Sequence, residues 1–176
     1  MANYNLLQFE AMLLGAGTRL AHSRKKDMEE ICRMLQKESR AALGHYQAAA
    51  GGFPAWAPLT PETQQRRVDY GYAGNNPLFV HGALWHAVDF VVDHAGTGYV
   101  GVAHGQVGRG TTQDPSRDIG VVAVAMEMGN PSKGVPQRSF LGLPAAKHKT
   151  ALAMRFFGRS INAMFAQSIV ALPRIH

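Results

Sequence analysis

A chain of 176 residues with 46% hydrophobic and 17% charged side chains suits one domain with a sizeable core. That excludes two full domains and a charge-driven disordered chain. A single cysteine, Cys32, excludes an intrachain disulfide and a cysteine-rich zinc site, and fits a reducing compartment.

In chain order, the first residues carry no basic and apolar leader of the secretory kind, and no run of about 18 apolar residues is present to span a bilayer. Asn5 and Gln8 have the spacing of a capping box, with Leu6, Phe9, Leu13 and Leu20 behind them. Gly15 and Gly17 are expected to weaken or bend that helix. A second helix is predicted over about Lys26–Leu43, with Met28, Ile31, Cys32, Leu35, Ser39 and Ala42 on one stripe. Gly44 is placed to end it.

From Gly51 to Asn76 the chain reads as irregular and aromatic-rich, and the prolines, glycines and Trp56 argue for a packed loop. Thr60-Pro61-Glu62 offers a cap and a first-turn proline for a short helix. Val88–Asp93 and Tyr99–Ala103 are β-rich and predict a hairpin centred on 88–103. Residues 104–118, rich in glycine and polar side chains, are expected to form a long mobile loop. Val121–Met128 is apolar and compatible with either strand or helix, stopping at Gly129-Asn130-Pro131. A last amphipathic helix is predicted over about Ala145–Val170. The fold expected is therefore α+β: a small antiparallel sheet packed with N-terminal and C-terminal helices, in a single domain over 1–176.

The sequence offers little catalytic chemistry. Gly96-x-Gly98-x-x-Gly101 matches a dinucleotide-binding string, but β-rich residues follow where a helix is needed, so a hairpin turn is the better reading. His81 and His86 are five apart, off a common helical face, with no carboxylate cluster to complete a ligand set. Cys32 sits on an apolar stripe and reads as an inert thiol. Asp114 and Asp118 lie in the glycine-rich loop without evident rigid support. No catalytic, metal or cofactor residue is assigned.

The net charge of +6 resides in the last third, where residues 121–176 hold seven basic side chains and one acidic. Lys147, Lys149, Arg155 and Arg159 make the candidate basic face, read either as a solvated helix surface or as one drawn to nucleic acid or an acidic neighbour. A small basic nucleic-acid-binding protein using this C-terminal helix is thus the alternative function.

Three segments carry a resemblance. Trp56-Ala57-Pro58-Leu59-Thr60-Pro61-Glu62-Thr63 leads into a short helix; Pro77-Leu78-Phe79-Val80-His81-Gly82-Ala83-Leu84 precedes the hairpin; Met128-Gly129 and then Val135-Pro136-Gln137-Arg138-Ser139-Phe140-Leu141-Gly142 close the set. In order and spacing they resemble the virion-morphogenesis, or tail-completion, family of tailed bacteriophages, over about Gln36–Phe165. The chain departs from that pattern at Val80-His81, at Trp85-His86-Ala87 and in the length of 104–118. The resemblance implies a non-enzymatic structural protein of the virion, without cofactor, that completes the head-proximal end of the tail or the neck. It implies a self-assembled ring, a hexamer, joining tail-tube or tail-terminator proteins to the head connector, with DNA in the lumen as a further partner and no membrane. The expected location is the virion, and the host cytoplasm during assembly. Trp56, Arg138, Phe140 and Leu141 are the candidate interface residues, weighed evenly against ordinary core packing.

Overall fold

The computed structural model describes residues 6–103 and 118–154, with side chains from residue 24 onward. Helix α1 runs unbroken from Leu6 to Ala42, so the two helices expected before Gly44 are one. Gly15 and Gly17 each cost roughly 1 kcal/mol relative to alanine, too little to stop a helix flanked by good helix formers. The Asn5 cap lies outside the described residues. Gly44 does end the helix: it takes φ +91, and its N–H donates to Pro77 O at 2.8 Å.

Helix α2, Pro61–Asp69, begins as its sequence predicts. Thr60 is extended and its side chain accepts the Thr63 N–H, with Pro61 in the first turn. Helix α3 is a single turn, Ala83–Ala87, entered through Gly82 at φ +74. The hairpin follows as β1, Val88–Val92, and β2, Gly98–Val102. Gly96 sits in its turn at φ +80 and Gly101 lies within β2, so the glycine string runs into a strand where a dinucleotide site needs a helix.

The apolar segment left open between strand and helix is helix α4, Ile119–Met128. Asp118 caps it, accepting the Gly120 N–H at 2.8 Å, which gives that loop carboxylate a structural role. The remainder of the expected mobile loop, 104–117, lies outside the described residues. The final helix begins at 142, ahead of the expected Ala145, and is described to 154. Pro144 belongs to its first turn, where a missing N–H costs nothing. The small α+β architecture is as expected: helices around a two-stranded antiparallel sheet.

The chain divides into two compact units. One comprises Met1–Ile31, Val92–Gly98 and Thr150–His176; the other comprises Cys32–Val91 and Tyr99–Lys149. In the first, Asp93 organises the hairpin turn, its carboxylate accepting the Thr97 N–H at 2.8 Å and its N–H donating to Thr97 O at 3.0 Å. The second holds the core: Ala42, Leu43, Trp56, Leu84, Ala87, Val88, Ile119, Ala123 and Phe140. Here α1 presents a polar edge to β1. Arg33 lies over the Phe90 ring, and Gln36 and Arg40 donate to Val88 O at 3.1 and 2.8 Å. Arg40 also stacks over Trp85 at 4.7 Å. Those side chains occupy hydrogen-bonding positions that an edge strand otherwise leaves open.

Candidate functional site: the junction of the three motif segments

The three segments singled out in the sequence meet in the second unit, with Trp56, Leu84 and Phe140 in one hydrophobic cluster. The Trp56 loop is pinned at both ends. Trp56 N–H donates to Gln47 O at 2.9 Å, Leu59 N–H donates to the Tyr46 hydroxyl at 3.1 Å, and Gln64 holds Leu59 O at 2.9 Å. The middle segment turns sharply: Pro77 is fully buried, and Leu78 takes φ +59, an uncommon conformation for a branched side chain.

The third segment supplies the cross-links. Arg138 N–H donates to Met126 O at 2.8 Å, and its guanidinium returns to the first segment, where Nη2 and Nε reach Ala57 O at 2.9 and 3.3 Å. Arg138 is 6% exposed and Phe140 fully buried. Trp56 is buried as well. These residues, expected as candidate interface, lie in the interior of their own chain. A side chain enclosed by its own fold has no surface left for a partner, so core packing is their role. Leu141 is half-buried against the same cluster.

Glu127, the sole acidic residue beyond position 120, organises the start of the last helix. Its carboxylate accepts the Ser139 hydroxyl at 2.5 Å and the N–H groups of Phe140, Leu141 and Gly142 at 2.9, 3.0 and 2.9 Å. Ser139 Oγ accepts the Leu143 N–H at 3.0 Å, and Pro144 has none to satisfy. The free donors that open a helix thereby acquire acceptors, and the negative charge faces the positive end of the helix dipole. Residue-type reasoning passed over Glu127. The signal available was a lone carboxylate within an otherwise apolar segment.

A second polar group surrounds Tyr46. Its hydroxyl donates to Asn75 Oδ1 at 2.6 Å while accepting from Leu59. Arg67 of α2 donates to Asn76 O. Burial holds the guanidinium groups of both Arg67 and Arg138 below the ordinary arginine range. For Arg67, the positive charges of Arg138 and Arg66 act in the same direction, and Tyr46 opposes them.

Lys147 and Lys149 of the candidate basic face are exposed, and Lys147 Nζ reaches Gln47 Oε1 at 3.2 Å. Arg155 and Arg159 lie outside the described residues. His81 packs edge-on against Tyr72 and His86 against Trp85, with centroids 4.4 and 4.9 Å apart. Among the described residues, no three His, Cys, Asp or Glu side chains are grouped to hold a metal. No helix of the described residues is long and apolar enough to cross a membrane. The outer face of α4 is apolar, with Val121, Val124 and Met128 exposed at helical spacing.

The chain matches no protein-family model, no curated protein and no solved structure.

Proposed function

We propose that this chain is a structural protein of a tailed-phage virion that completes the head-proximal end of the tail, or the neck, as a self-assembled ring. In this reading it is a building block rather than an enzyme, made in the host cytoplasm and retained in the virion. Its neighbours are tail-tube or tail-terminator proteins on one side and the head connector on the other. The sixfold symmetry follows from the family resemblance.

One observation carries the reading. The three segments behind the resemblance converge on one core, and Arg138 of the last segment is hydrogen-bonded to Ala57 of the first across 81 residues. A shared core is what the reading expects of segments that belong to one motif set. The apolar outer face of α4 adds support, because exposed apolar stripes are characteristic of proteins that assemble.

The test is to purify the full chain, measure its mass in solution, and image it alone and with purified tails. A ring, or a monomer that closes into a ring on tails, supports the reading. A chain that remains monomeric and binds neither tails nor connectors overturns it.

A further inference from the structure

We draw no further inference here: the strongest candidate, the apolar outer face of α4 that exposes Val121, Val124 and Met128, carries nothing, since nothing in the structure shows what covers it.

Discussion

The carboxylate of Glu127, in the last turn of α4, accepts the main-chain N–H of Phe140 at 2.9 Å. The same two oxygens take Ser139, Leu141 and Gly142, so one side chain sets both the path into the final helix and the position of its fully buried Phe140. Glu127→Ala leaves those donors without an acceptor in a half-buried setting and is expected to cost about 2–4 kcal/mol. Glu127→Gln should recover only part of this, because one acceptor oxygen becomes a donor facing other donors. Chemical denaturation gives the loss, and amide exchange at 140–143 should show where it falls. A loss below about 0.5 kcal/mol for Glu127→Ala would contradict the assigned role.

Arg138 ties the last motif segment to the Trp56 loop through Ala57 O. Removing the fork in Arg138→Ala frees that carbonyl and opens space beside Trp56, for an expected loss of about 1–3 kcal/mol. Arg138→Lys retains the charge but presents donors from a single point, so it should fall between the two. Tryptophan fluorescence during unfolding is the direct readout, with Trp56 exposed earlier in both variants.

Two glycines in this region are required for different reasons. Gly129 stops α4 at φ +74 and ψ 169, a region open essentially to glycine alone, and an added Cβ would stand 2.9 Å from Gln137 N. Gly142 has no such backbone demand; its Cβ would meet the Phe53 ring at 2.5 Å. Gly129→Ala is therefore expected to cost more than Gly142→Ala, which should lose about 1–3 kcal/mol as the ring shifts. Equal melting temperatures for the two variants would go against this account.

Cys32 is buried at 2% exposure, and desolvation pushes its thiol above the ordinary range. A thiol-specific reagent should modify the native protein about tenfold or more slowly than a free thiol, and at the full rate once the chain is unfolded. Because the folded state favours the neutral thiol, this group's contribution is fully present below about pH 8.5 and declines at higher pH, as the unfolded thiol ionises first. Cys32→Ala should flatten that alkaline decline in denaturation measured from pH 7 to 10.

Local signals were legible where the physics is local. Thr60-Pro61 opens α2 because a hydroxyl acceptor and a ring-fixed φ act within one turn, and Gly44 ends α1 because a left-handed residue needs no Cβ. Trp56 was legible as packed because an indole in a proline-rich stretch is too costly to leave in water. The site was less legible. Trp56, Arg138 and Phe140 were identifiable as important, but burial and exposure call for the same residue types, and only the fold placed them inside. Glu127 and Arg67 drew no attention, since nothing within a few residues of either indicates what it will meet.

The charge distribution shows where the two kinds of information divide. By itself, the sequence determined that the excess of +6 lies beyond residue 120, that a helix ends at Gly44, that another opens at Thr60-Pro61, and that a hairpin spans 88–103. These are properties of composition and of φ/ψ preferences over a turn or two. Only the tertiary structure decided that α4 is a helix, that its one carboxylate is consumed in starting the next helix, and that Arg138 faces inward to Ala57 while Lys147 and Lys149 are exposed. Those outcomes depend on which segments the folded path brings within hydrogen-bond reach, and a carbonyl 81 residues away leaves no mark on the local sequence.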